Sequence, residues 1–264
     1  MIVRTDPVPT VPSEGFQPRA HLAPTTPLRR ALFYLRLVAD LQTNSIHRDL
    51  REPLASFSGT ILDVGCGNSP FRHLLNPTAT EYKGIDVAEA ASFGYRNPDV
   101  VYYDGNTIPF ADGAFDALLC TEVIEHIADP TKLVGEMHRV LKPGGVGIIT
   151  VPWSARFHYQ PFDYHRYTPS MLETIFSRFS ECVIHPRGTD LSSIGSKIVV
   201  AYIRNLMRIW PSTPARLLMS PVRLLAALIG IPVLVAALFF AHCGIRWGLG
   251  SPDDPLGYTL VIRK

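Results

Sequence analysis

From Gly59 onward the chain alternates short β-branched or apolar runs with helical stretches. The runs are GTILDVG, YKGIDV, VVYYDG, AFDALLC, VGIITVP, ECVIHPRG and, at the end, GYTLVIRK. Strands that alternate with helices imply parallel βαβ units, hence an α/β fold with a doubly wound sheet. Between the fourth and fifth runs, IEHIADPTKLVGEMHRVLKPGG sets Leu133, Val134, Met137, Val140 and Leu141 on one helical face and closes on Lys-Pro-Gly-Gly. Upstream, Leu28, Ala31, Leu32, Leu35, Val38 and Leu41 recur at helical spacing with arginines between them. The spacing predicts an N-terminal helix over 28–58 that packs this apolar face ahead of the core. Residues 1–27 are proline-rich without an apolar centre, which predicts a poorly ordered arm rather than a signal peptide. The core is expected over 59–190, an insertion over 191–250, and the final strand of the same sheet over 251–264.

Composition changes the picture chiefly in that insertion. The chain has 25 Lys and Arg against 23 Asp and Glu, a formal net charge of +2 that names no polyanionic partner. From Leu191 to Ser251 there is no acid, yet Lys197, Arg204, Arg208, Arg216, Arg223 and Arg246 lie there, so the remainder is net acidic. Within it, LLAALIGIPVLVAALFFAHCGI, Leu224 to Ile245, carries no charged residue and is long enough to span a bilayer. A single crossing would strand GYTLVIRK on the wrong side. Two readings remain. One is an interfacial or re-entrant element that meets anionic lipid through its basic residues, anchors through Trp210, Phe239, Phe240 and Trp247, and breaks at Pro232. The other is a buried lid or a dimer interface. The absence of acids favours the membrane, since a core does not require it. The four cysteines show no CxxC pairing or zinc spacing, no metal-ligand set is read from the sequence, and reduced thiols in a cytoplasmic protein are expected.

In a doubly wound sheet the ligand lies beyond the carboxyl ends of the strands. Residues 61–69, ILDVGCGNS, place Asp63, Gly65, Cys66 and Gly67 at the first such end, where glycines let a backbone approach a ligand. Asp86, followed by Val87, ends the second run at a spacing where a carboxylate accepts from ribose hydroxyls. Asp104, with Gly105 and Asn106, ends the third and suits an adenine edge beside free N–H groups; Cys120 and Thr121 end the fourth. One glycine turn alone is equally well read as a plain turn with capping acids. A dinucleotide site would want a third glycine and a helix N-terminus for the pyrophosphate, and Pro70 stands there instead, without an N–H.

ILDVGCG, GID ending the second run, YDGNTIPFADGAFDALLCTEVIEHI and HRVLKPGG together resemble the class I S-adenosylmethionine-dependent methyltransferases, over roughly Gly59 to Cys182. The resemblance implies a Rossmann-like sheet of seven strands with the last antiparallel, helices on both faces, and S-adenosylmethionine as cofactor. It implies that Gly65 to Gly67 meet the methionine moiety, Asp86 the ribose and Asp104 the adenine. Ser69 departs from a position that is often glycine in the family.

Methyl transfer from a sulfonium needs alignment and desolvation, and a base only when the acceptor must lose a proton. After the fifth run, Trp153, Phe157, Tyr159, Phe162, Tyr164 and Tyr167 surround His158, Asp163, His165 and Arg166. Aromatic faces beside titratable groups suit a small-molecule, saccharide or lipid-linked acceptor, though the same aromatics also read as core. Asp163 is expected to orient His165 as a base, and His126 to lie near the cofactor on a helix. The rivals are a dinucleotide-dependent oxidoreductase and a non-catalytic membrane-associated module. Nucleic acid is disfavoured because the basic residues lie among apolar ones. The spacing leaves the oligomeric state open.

Overall fold

The seven apolar runs are seven strands of one sheet. They are β1 (Gly59–Val64), β2 (Thr80–Val87), β3 (Val100–Tyr103), β4 (Phe115–Thr121), β5 (Leu141–Pro152), β6 (Glu181–Arg187) and β7 (Gly257–Arg263). This computed structural model describes residues 24–93, 97, 100–207 and 220–264. Most of the expected N-terminal arm lies outside them, as do Arg208, Trp210 and Arg216. The strand order is β3-β2-β1-β4-β5-β7-β6. β1 to β5 pair in parallel, and β7 enters antiparallel to both β5 and β6. The doubly wound sheet with an antiparallel last strand is therefore as expected.

Both faces are covered. On one, α3 (Pro130–Val140) and α4 (Pro169–Ile175) bury Leu133, Val134, Met137, Val140, Leu172 and Ile175 against Leu62, Val64, Leu118 and Ile149. On the other, α1 (Pro27–Ala39) and α2 (Leu41–Ser56) set Phe33, Leu37, Ile46, Leu50 and Leu54 against Ile61, Leu119 and Ile148. The continuous burial of the last four residues of β1 is what a strand covered on both faces requires.

Two expectations about the N-terminal helix need correction. It is two helices, because the Asp40 side chain accepts from Thr43 N–H at 3.1 Å and caps a new start. The stripe of Leu28, Leu32, Leu35 and Val38 faces outward, at 50–70% exposure. Phe33 and Leu37, one turn apart, dock instead, because Phe33 finds the rings of His47 and His73 at 5.8 and 5.3 Å.

The insertion is a helical hairpin of α5 (Asp190–Met207) and α6 (Ser220–Trp247). Pro232 does not break the apolar run: α6 continues through it. The two helices approach closely at Gly195, where an added Cβ would lie 2.6 Å from Ala241 Cβ and 2.9 Å from Ala237 O. The inner end of α6 is fixed, with Ala241 and Ile245 buried against Leu41 and Leu256. Its outer part is not covered: Leu225, Leu228, Ile229, Val233, Val235 and Phe239 are all exposed.

Burial lowers the pKa of His47 to about 4, helped by His73 and Arg51, and lowers that of His73 as well. A depressed histidine favours folding while neutral, so this contribution is present above the ordinary value near 6.5 and is lost as pH falls toward 4. The midpoint of thermal unfolding, followed by circular dichroism, should fall between pH 7 and pH 5. His47→Phe, which keeps the ring contacts and cannot titrate, should fall less.

Candidate functional site

Parallel pairing brings the ends of β1, β2 and β4 to one edge, with Val64 opposite both Ile85 and Cys120. There the chain turns sharply through Gly65, Gly67 and Ser69, all at positive φ (68°, 49° and 51°). Gly65 and Cys66 N–H both donate to Ile85 O, at 2.9 and 3.0 Å, so the loop is pinned to the neighbouring strand. A Cβ on Gly65 would lie 2.5 Å from Val123 Cγ2, which makes this a backbone that only glycine fits. Ser69 holds the left-handed conformation of a glycine through its side chain: its Oγ accepts from Asn97 Nδ2 at 2.8 Å and lies 2.8 Å from the Tyr82 hydroxyl.

The strand-end acids differ from one another. Asp86 faces the loop, accepting from Gly67 N–H at 2.9 Å and from Val87 N–H at 2.8 Å, and burial raises its pKa. Each carboxylate oxygen keeps a further lone pair for a ligand hydroxyl. Asp63 points inward; burial pushes its pKa up to about 7 against the opposing hydrogen bond from the Tyr82 hydroxyl at 2.6 Å. Burial likewise drives the Cys66 thiol far above its ordinary range. Asp104 is exposed, and the N–H groups beside it are not free. Asn106 and Thr107 N–H donate to its Oδ1 at 2.8 and 2.9 Å, an Asx turn that lowers its pKa. Gly105, at φ 73°, completes that turn, and Thr121 ends β4 beside Glu122.

A second group of side chains hangs from the turn after β4. Residues Ile124–His126 form a short 3-10 turn rather than the helix expected around His126. Tyr164 and His165 N–H donate to Glu125 O, and the Tyr167 hydroxyl donates to Ile124 O at 2.9 Å, so the turn carries the 153–168 loop. Asp163 does not orient His165. It accepts from Arg166 Nη1 at 2.6 Å and Nη2 at 2.9 Å, and lies 3.0 Å from His158 Nδ1. The reversal closed by Phe162 N–H to Tyr159 O folds His158 back over the carboxylate. His165 instead stacks on Tyr167 at 5.1 Å, with its Nε2 3.4 Å from Ala128 O.

His126 sits against His158 and Tyr159, with ring centroids 4.9 and 5.1 Å away, and burial, then His158, lowers its pKa to about 4. Glu125 is fully buried, and burial, reinforced by Glu122, raises its pKa well above the carboxylate range. Glu122, itself at φ 53°, is held by the buried Arg187 at 2.6 Å. The expected aromatic wall divides: Tyr167 is core, Trp153 donates from Nε1 to Asp254 at 2.9 Å, and Phe157, Phe162 and Tyr164 are exposed. Glu125 and the Glu122–Arg187 pair were not among the residues read from sequence. Burial of a charged side chain on a strand end is a tertiary property without a periodic trace.

Residues 62–149 match the model of a methyltransferase domain family. An uncharacterized methyltransferase of Mycobacterium sp. (strain KMS) is 37% identical over 98 residues, covering 34% of this chain and 38% of the relative. A probable S-adenosylmethionine-dependent methyltransferase of Mycolicibacterium smegmatis is 35% identical over 96 residues, covering 35% of this chain and 37% of the relative. The chain thus aligns with well under half the length of these relatives. Among solved structures, a SAM-dependent methyltransferase from Archaeoglobus fulgidus shares the fold with a TM-score of 0.51 at 17% identity, covering 89% of this chain and 99% of that one.

Gly65→Ala forces a side chain into Val123 from a disfavoured backbone, costing roughly 1–2 kcal/mol locally. In calorimetric titration the variant should bind an adenosine-containing cofactor at least about tenfold more weakly than the parent. Equal affinity would remove the β1 loop from the site.

Proposed function

We propose that residues 62–149, which match a methyltransferase domain family, form an S-adenosylmethionine-dependent methyltransferase domain, and that the protein methylates a small-molecule, saccharide or lipid-linked acceptor at a membrane surface. The observation that carries the cofactor half is the meeting of the β1 loop with Asp86 through Gly67 N–H, 2.9 Å apart. A glycine turn held tight by Val123, beside a carboxylate with lone pairs to spare, fits a nucleoside carrying a bulky sulfonium arm. Gly65, Cys66 and Gly67 would face the methionine part, Asp86 and Val87 the ribose, and Asp104, Gly105 and Asn106 the base, with Asp63 and Thr121 framing the loop. When bound, the cofactor supplies an electrophilic methyl group. The chain's own work is to align the acceptor with that group and exclude water.

A dinucleotide is a poorer fit. The β1 loop leads into Pro70 and a three-residue 3-10 turn, Arg72–Leu74, so no helix N-terminus is offered to a pyrophosphate. The turn-and-cap reading explains Asp104 in full, whereas Asp86, buried and capping the glycine loop, still has a lone pair on each oxygen for a ligand.

The membrane half rests on the hairpin. α5 and α6 run out from the core and back, so the chain returns to the side where β7 joins the sheet, and a re-entrant dip replaces a single crossing. In Leu224–Trp247 mean hydropathy is 2.7 and only 6% of the most apolar window is buried. An apolar surface of that extent on a soluble monomer is unusual. Lys197 and Arg204 lie exposed on α5, and the acid-free stretch around them suits anionic headgroups. Calorimetry should detect S-adenosylmethionine or S-adenosylhomocysteine binding and no NAD binding; the reverse pattern overturns the enzyme class. The full chain should co-sediment with phosphatidylglycerol-containing vesicles, less at high salt, and Lys197→Glu with Arg204→Glu should weaken this by about 1 kcal/mol per residue. A chain that stays in solution at low salt would leave the hairpin as a lid or a subunit interface.

A further inference from the structure

We propose that Glu125, His126 and His158 bind one divalent transition-metal ion. This inference does not depend on the methyl-transfer reading. Each of the three residues brings one ligand atom to within 4.8 Å of the other two. Glu125 Oε1 and His126 Nε2 are already 3.5 Å apart. That is close to the edge of a tetrahedron with bonds of about 2.1 Å, which is about 3.4 Å.

Charge balance points the same way. Glu125 is wholly inaccessible, and neither carboxylate oxygen has a hydrogen-bond donor among the described residues. A buried carboxylate in that state is costly unless a cation meets it. The two nearby arginines are committed elsewhere: Arg166 grips Asp163 with both terminal nitrogens, and Arg187 grips Glu122. Among the described residues no arginine or lysine ion-pairs with Glu125, which feels Arg166 only through space and faces two imidazoles.

The imidazoles are held as metal ligands are held. His126 Nδ1 lies 2.7 Å from Phe162 O, which can only accept, so the proton is on Nδ1 and Nε2 carries the lone pair. That Nε2 is buried and has no hydrogen-bond partner among the described residues. His158 Nδ1 lies 2.8 Å from Arg156 O and 3.0 Å from Asp163 Oδ2, so the proton is on Nδ1 and Nε2 carries the lone pair. Outer acceptors that fix tautomer and ring orientation characterise histidine metal sites. Two nitrogens and one carboxylate oxygen suit zinc, cobalt or iron(II) rather than magnesium or calcium. The histidine side chains are 18% and 17% exposed, so the group lies just beneath the surface.

The test uses the full chain stripped with a chelator and titrated with Co2+ and then Zn2+. One equivalent of Co2+ should develop visible d–d bands without thiolate charge transfer, and Zn2+ should displace it. His126→Ala and His158→Ala should each weaken binding at least tenfold, and the positioning variant Asp163→Asn about 10–100-fold, in protein whose circular dichroism is unchanged. Should the variants not fold, pulsed EPR of the Cu2+-loaded parent should still show imidazole-nitrogen couplings. No stoichiometric ion in the parent would overturn the proposal and leave Glu125 sharing a proton with His126. Thiolate charge transfer with affinity unchanged in both histidine variants would overturn it by placing the ion on cysteines.

Discussion

Two backbone N–H groups, those of Gly65 and Cys66, converge on the carbonyl of Ile85, and the geometry of the candidate site depends on that convergence. It ties the loop leaving β1 to the strand beside it before any side chain is considered. Because β1 and β2 run parallel, the same register then sets Asp86 directly below Gly67. The packing on either face of the sheet serves to keep these strand ends level. Buried leucines at positions 50, 54, 62 and 118 make no contact with chemistry, yet a strand that slipped by one residue would turn Asp86 away from the loop.

The sheet was legible because its signal is local. Seven apolar runs became seven strands, and the last is antiparallel. The α3 face of Leu133, Val134, Met137 and Val140 was equally plain, since period and burial agree there. The α1 face was misread for a physical reason: that helix carries two apolar stripes, and periodicity alone cannot say which one meets a partner. Phe33 and Leu37 win because rings from α2 and from the turn after β1 lie beneath them.

At the candidate site, what could be read was the type of residue at each strand end, and what could not was its partner. Asp163 and His165 are two apart in sequence, which suggested a pair. Arg166 and a tight reversal gave the carboxylate to His158 instead. Asp104 was expected to face a ligand beside free donors, but its own loop takes up those donors. Ser69 is the opposite case, a departure from a glycine pattern that Asn97 and Tyr82 make good through hydrogen bonds no spacing rule encodes.

The place of β7 between β5 and β6 carries one more consequence. β5 and β6 never touch as neighbours, so the sheet has a slot that is filled by a strand roughly a hundred residues beyond β5, across the whole hairpin. Closing so long a loop carries an entropic cost that grows with its length, and contacts of such separation form slowly. Anything that restrains the hairpin, holding its base at a fixed spacing, shortens the effective loop and eases the strand into its slot. The apolar excursion and the completion of the cofactor fold are therefore mechanically linked, and an environment that grips the one steadies the other.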